Sequence, residues 1–270
     1  IAQPLFLNVS GIEFVDHENY EKYDEMVAKF VERRAGKVNE EKARELLQDV
    51  NYFGTMLVYM GEVEGLVSGA IHSTGDTVRP ALQIIKTKPG VSRTSGAFIM
   101  SRNASRFIFA DCAINTSIDA QGLAEIAVES AKTAKAFNIN PKVAMLSFST
   151  YGSAKTEETL KVAEATKLVR EKAPTLPVGG EMQFDAAYVP PVAKLKAPNS
   201  EIQGDANVFV FPSLEAGNIG YKIAERLGGF EAVGPILQGL NAPVNDLSRG
   251  CSSIDVLKLA LITAVQALEK

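Results

Sequence analysis

The chain has 270 residues, of which 46% are hydrophobic and 22% charged, and a formal net charge of −4. That length supports one large or two medium globular domains, and an acidic balance with no basic block excludes nucleic acid and anionic membrane as principal partners. Two cysteines, Cys112 and Cys251, are too few for a secreted disulfide scaffold and suit a reducing, cytoplasmic setting.

The start, "IAQPLFLNVSG", lacks a basic region followed by a long apolar one, so a signal peptide is not expected. "PLFLNV" and "IEFV" are short apolar runs that predict strands. "NYEKYDEMVAKFVERRAGK" has apolar residues at helical spacing and a stop at Gly36. "NEEKARELLQDV" predicts a second helix with Asn39 as its N-cap. After Gly61, "VEGLVSGAI" predicts a strand feeding "HSTGDTVRPALQIIK", a helix capped by Asp76 or Thr77. "SGAFIMS" and "RFIFADCAI", joined by "RNAS", predict a hairpin. Then follow a long amphipathic helix over 119–137, the strand "KVAMLSFST", a helix over 155–172, the strand "NVFVFPS", the helix "GNIGYKIAERL" and a terminal helix "SSIDVLKLALITAVQALEK". No run nears the roughly 20 apolar residues of a membrane span. With two histidines and scattered cysteines, no metal site is expected. Alternating strands and helices imply an α/β fold with a largely parallel sheet, helices on both faces, and ligands at the strand-to-helix loops.

Several of those loops carry chemistry-bearing residues. "LSFSTYGSAKTEE" joins Ser147, Ser149, Thr150, Ser153 and Lys155 to a helix start, a composition suited to an anion cradle or to simple capping. It lacks the first glycine of a P-loop. "FPSLEAGNIGYKIAERLGG" has G-x-x-G spacing, which is not a dinucleotide fingerprint; Gly217 and Gly220 there suit a close backbone approach. "SGAIHSTGDTVRPALQ" gathers His72, Ser73, Thr74 and Arg79. A cation in the first turn of a helix opposes the dipole, which is easier to understand if Arg79 shares an anionic ligand with the helix start. In "NAPVNDLSRGCSSIDVL", Ser252 to Asp255 fits a capping box. Ser248 has no G-x-S-x-G setting, and Cys251 has no histidine near it in sequence.

Taken in order, "GxxHSTxDTVRPALQ", "FADCAIN", "LSFSTYGSAK", "FPSLEAGNIGYK" and "GPILQGLNAPVNDLSRGCSSIDV" make the chain resemble phosphate acetyltransferases over nearly its whole length. Phosphate butyryltransferases share the architecture. The resemblance implies a two-domain fold like that of isocitrate and isopropylmalate dehydrogenases, mostly parallel sheets flanked by helices, with the active site in the interdomain cleft. It implies one domain from 1–89 plus 239–270, another from 90–238, and a homodimer. The resemblance leads one to expect a further strand and helix before the position of Ile1, and a longer stretch between Asn8 and Val9. The implied reaction is acetyl-CoA plus phosphate giving acetyl phosphate plus CoA, with no cofactor beyond these substrates. A non-catalytic acetyl-CoA-sensing module of the same fold is the alternative from another class.

The resemblance also implies roles. A thiol near pKa ~8.5 and an Asp near ~3.9 are mismatched for proton transfer. A guanidinium lowers the first and partial burial raises the second, so Arg249 and Asp255 are expected to pair, with Asp255 as the base toward CoA. Ser248 is expected to donate to the carbonyl oxygen as it becomes an oxyanion. Arg79, Arg249 and a third arginine, Arg34 or its neighbour Arg33, are expected to converge in one crevice and grip phosphate with their planar forks. Ser149, Thr150, Ser153 and Asn218 complete the expected substrate contacts. Cys251 stands among them, packing and not reacting, because both substrates meet in a ternary complex.

Overall fold

The computed structural model describes residues 11–268 as ten helices and eight strands. The expected strand at "PLFLNV" and the short junction between Asn8 and Val9 lie outside the described residues. "IEFV" is not a strand: Phe14 is 80% exposed, and no described strand pairs with it.

Helix α1 (Tyr23–Arg34) carries Asp24 and Glu25 in its first turn and Arg33 and Arg34 in its last, the charge order that the helix dipole favours. It stops where expected, at Ala35 and Gly36, both in the left-handed region. Helix α2 (Glu40–Leu46) is capped by Asn39, whose side chain accepts from the Lys42 amide at 2.9 Å. Helix α3 (Val50–Met60), capped by Asp49, was not foreseen. It is buried on most sides, and a continuous apolar run hides its period. Strand β1 (Leu66–Gly69) leads to α4 (Thr74–Ile84). The cap of α4 is Ser73, with Asp76 returning the bond as the third helical residue, so neither Asp76 nor Thr77 is the cap. The helix therefore begins earlier than expected and Arg79 lies past its first turn, where the dipole argument for an anion at Arg79 lapses.

The central sheet has the order β5-β4-β6-β3-β2-β7. Strands β2 (Ser95–Arg102) and β3 (Ser105–Ala110) form the expected hairpin, with Asn103 at φ 55° in its turn. β4 (Val143–Leu146), β5 (Val178–Met182) and β6 (Val208–Val210) run parallel to β3, and β7 (Glu231–Gln238) is antiparallel to β2. Side chains alternate between two cores, as the period-two pleat requires. Ile108, Val143, Met145, Val208 and Val210 bury against α5 (Ala120–Ala136) and α6 (Glu157–Lys172). Phe109, Ala144, Leu146 and Phe209 face the other way, toward α7 (Phe184–Tyr188) and α8 (Pro190–Lys196), with Tyr221 of α9 (Leu214–Arg226) stacked on Phe98. The mostly parallel α/β architecture is thus as expected, with a helix layer on each face.

A second sheet pairs β1 in parallel with β8 (Val244–Leu247) and carries α10 (Ser253–Leu268). A separate core of α1, α3 and α4 side chains, including Phe30, Met56 and Ile84, covers the start of β8. Where the chain passes between the two sheets, residues 86–88 and 239–241 run side by side: the Lys88 amide donates to Gly239 and the Asn241 amide to Lys86, each at 2.9 Å.

At the end of β3 the buried Asp111 carboxylate accepts from the amides of Gly96, Ala113, Ile114 and Asn115, which fixes the loop of Cys112. Gly217 packs α9 onto that loop, as its glycine suggested: a Cβ there would lie 2.2 Å from the Asp111 carbonyl oxygen. Since backbone cannot yield as a side-chain tip does, Gly217→Ala is expected to destabilise the fold by about 1–3 kcal/mol. A shift in the denaturant midpoint without a change in slope would register it.

Candidate active site

A cleft of about 680 Å³ opens between α9 with β7 on one side and the β8–α10 junction on the other. Asn218, Ser248, Arg249, Cys251 and Asp255 all line it. Four of them come from one short stretch because β8 ends at Leu247 and the chain turns at once. The Cys251 amide donates to the Ser248 carbonyl at 3.0 Å, and the Gly250 amide to Ser248 Oγ at 3.3 Å.

Asp255 starts α10. Its Oδ2 accepts from the Ser252 amide at 2.7 Å and the Ser252 hydroxyl at 2.8 Å, while the Asp255 amide donates to Ser252 Oγ at 3.3 Å. The capping box read from the sequence is therefore present. Its consequence reverses an expectation: the Ser252 bonds hold the Asp255 carboxyl below its ordinary value against a smaller opposing effect of burial. Cys251 packs against the cluster of Val233, Leu247 and Leu259. Cys112 also lines the cleft, and burial pushes its thiol well up, with the adjacent Asp111 adding to the shift. A thiol held protonated is a poor nucleophile.

One wall was only partly read in the sequence. Asn218, Lys222 and Arg226 are four residues apart on α9 and all line the cleft. The Asn218 amide donates to the Cys112 carbonyl at 3.0 Å and its oxygen accepts from Lys222 at 2.8 Å. The fourfold spacing in "NIGYKIAER" was the available signal for the two cations. His72, Thr74 and Asp246 line the opposite side.

Of the three arginines, one lines this cleft. Arg249 lines the cleft, whereas Arg34 and Arg79 flank the hydroxyl of Tyr52, which burial pushes up and the two cations draw back down. Arg33 spends its fork on α4, donating to Ile84 at 2.6 Å and Ile85 at 3.1 Å. Arg34 makes one bond, to the Gln83 carbonyl at 3.3 Å, and its buried Nε has no partner among the described residues. Arg34 is thus the one with donors to spare. Ser149, Thr150 and Ser153 do not line the cleft. Ser149 Oγ donates to Glu181 at 2.9 Å and lies 3.2 Å from Ser153 Oγ, and Thr150 Oγ1 donates to Gln183 at 3.3 Å. Hydroxyls engaged this way, beside a carboxylate, hold the loop itself together.

Among the described residues no group of acids, histidines and cysteines is arranged to hold a metal, and no helix is long and apolar enough to cross a membrane.

Mostly parallel sheets with helices on both faces, and a polar cleft between the two sheets, place the chain among α/β enzymes that bind ligands beyond strand ends. The family is specific: residues 2–264 match the model described as "Phosphate acetyl/butaryl transferase", and the chain belongs to that family of acyltransferases. It is 68% identical to a phosphate acetyltransferase of Bacillus subtilis over 99% of this chain and 83% of the relative. A solved phosphotransacetylase from Staphylococcus aureus is 66% identical with a TM-score of 0.90, covering 97% of this chain and 80% of the other. One from Streptococcus pyogenes is 61% identical with a TM-score of 0.93, covering 95% and 78%.

The cap at Asp255 predicts a measurable coupling. Because its carboxyl is held low, the contribution of the charged group to stability is complete above the ordinary value of 3.8 and is lost as pH falls below it. Ser252→Ala is expected to cost about 0.5–2 kcal/mol near neutral pH, and a carboxyl titration followed by NMR is expected to move back up toward the ordinary value.

Proposed function

We propose that this cleft carries reversible acetyl transfer between the sulfur of CoA and an oxygen of phosphate, within a ternary complex. The observation that carries the reading is the convergence of Ser248, Arg249 and Asp255 with Asn218, Lys222 and Arg226 around one polar space. Such a wall offers cations for dense negative charge, a hydroxyl for a developing oxyanion and a carboxylate for a proton. The identities with named phosphate acetyltransferases support the same substrates.

In this proposal an oxygen of hydrogen phosphate attacks the thioester carbonyl while the Ser248 hydroxyl donates to its oxygen; the C–O bond forms, the C–S bond then breaks, and the phosphate proton passes by way of Asp255 to the departing CoA sulfur. In the reverse direction Asp255 takes the thiol proton. An acid held below its ordinary value is a weak base, so most of the pKa matching falls to the Arg249 guanidinium, which lowers the thiol. Lys222 and Arg226 hold anionic parts of the substrates, and Arg79 with Arg34 is assigned to phosphate on the α1–α4 side. Ser149, Thr150 and Ser153 take no part. No covalent acetyl-enzyme is needed, since holding two reactants in place contributes roughly 7–11 kcal/mol. The same proposal keeps the division into 1–89 plus 239–270 and 90–238, a homodimer, a cytoplasmic setting, and no cofactor beyond CoA.

Acetyl phosphate formation from acetyl-CoA and phosphate tests the reading directly; a folded protein that binds acetyl-CoA without turnover would favour a sensing module instead. Ser248→Ala is expected to lower kcat by about 100- to 1000-fold, and Asp255→Asn to lose thiol-dependent turnover. Cys251→Ala is expected to stay active, and a stable acetyl adduct on Cys251 in intact-mass spectra would refute the ternary complex. Rates with acetyl-, propionyl- and butyryl-CoA will rank the acyl pocket, where each methylene changes the rate by about 10- to 200-fold.

A further inference from the structure

Asp246 is 1% exposed, borders the cleft, and forms no ion pair with any described residue. Its Oδ1 has no hydrogen-bond partner among the described residues, and neither does Thr77 Oγ1 or His72 Nδ1 close by. Burying a carboxyl with incomplete partners is costly, and a chain selected for stability alone does better with an amide or an apolar group there. The seat is nonetheless carefully made. In the parallel pairing of β1 with β8, Ser68 faces Asp246 and Gly69 faces Leu247, and the Ala70 amide donates to the Leu247 carbonyl at 3.0 Å. Gly69 has φ +92°, and a Cβ on it would lie 2.6 Å from Asp246 Oδ1 and 2.3 Å from the Leu247 carbonyl oxygen. The carboxyl therefore occupies the space that the missing side chain leaves open, at the start of α4.

Two chain segments meet at this point. One is the turn that opens α4 and brings His72 and Thr74 to the cleft; the other is the end of β8, from which Ser248 and Arg249 follow by two and three residues. We propose that Asp246 is a positioning residue for the transfer reaction: its buried carboxyl, seated over Gly69 and facing Thr74, Thr77 and His72, sets the α4 turn against the strand end that presents Ser248 and Arg249. This inference rests on the function proposed above and adds a residue to it. The contacts around Asp246, incomplete as they stand, tighten as substrate draws His72 and Thr74 inward, as hydrogen bonds of catalytic sites do on binding. Burial raises the Asp246 carboxyl, the Thr74 and Thr77 hydroxyls oppose that rise, Asp76 adds to it and His72 counters it. Asp76 and His72 are the titratable groups among them.

Such a residue differs from a purely structural one in a way that can be measured. On the full chain, kcat, the KM values for acetyl-CoA and phosphate, and thermal melting are compared among wild type, Asp246→Asn and Thr77→Val. The Asp246→Asn variant is expected to melt no lower than wild type, to keep the KM for acetyl-CoA within about twofold, and to lose about 100-fold in kcat, the scale of a slight misplacement of reacting groups. Thr77→Val is expected to lose about tenfold in kcat, the equivalent of the one hydrogen bond to Asp246 that the proposal has closing only when substrate is bound. An unchanged kcat in folded Asp246→Asn overturns the inference alone. So does a loss of activity that follows a lowered melting temperature, or a failure of Asp246→Asn to fold while Thr77→Val keeps full kcat. A wild-type protein that forms no acetyl phosphate overturns the reading of the cleft, and this inference with it.

Discussion

The arrangement of the cleft depends on a buried amide. Asn245, fully inaccessible in the middle of β8, accepts from the Leu237 amide of β7 at 2.9 Å and donates to Thr263 Oγ1 at 2.8 Å and Gln266 Oε1 at 2.6 Å on α10. One side chain thus ties together both sheets and the terminal helix. Every partner is satisfied, which is the condition under which a buried polar group specifies a single arrangement. An apolar residue of similar size would fill the space but leave the Leu237 amide, Thr263 and Gln266 free to choose other partners. Ser248 and Asp255 hold their places because the strand before them and the helix after them are locked to each other.

The opposite wall is fixed by a different means. Asp111 gathers the amides of the loop after β3, and Gly217 lets α9 press directly on that loop. With α9 pinned near its start, the stripe of Asn218, Lys222 and Arg226 has little freedom to rotate away from the cleft. One wall is therefore set by polar satisfaction, the other by the absence of a methyl group. Neither contributes much burial energy of its own; that comes from the two alternating cores on either side of the central sheet.

These causes differ in how far local sequence exposes them. Helices α5, α6, α9 and α10 were legible because their apolar residues recur at helical spacing, and the β2–β3 hairpin because its turn residues interrupt two β-rich runs. Helix α3 was missed because it is apolar nearly all round. β5, with two adjacent glycines, and β8, with Asn and Asp inside it, look unlike strands until their distant partners are known. The site divides in the same way. Ser248, Arg249, Cys251 and Asp255 lie within eight residues and could be read together, and the cap at Ser252 followed from its spacing. Spacing alone did not reveal that the hydroxyls of the 149–153 loop bond to one another and to Glu181 and Gln183, partners that only the fold brings near. Asp246 drew no notice, because an acid in a strand becomes informative only once its burial and its missing partners are known.

Gly69 has a bearing on how this protein can vary. Two backbone atoms of Leu247 and an oxygen of Asp246 crowd the direction in which any side chain would leave that Cα, and φ there is +92°. No exchange at this position can be absorbed by a neighbour changing rotamer, since the obstacle is mainly main chain. Variation in the cleft must therefore leave residue 69 alone and work through lining residues such as Thr74, Asn218 or Tyr221, so the path open to change runs along helix faces and bypasses the strand.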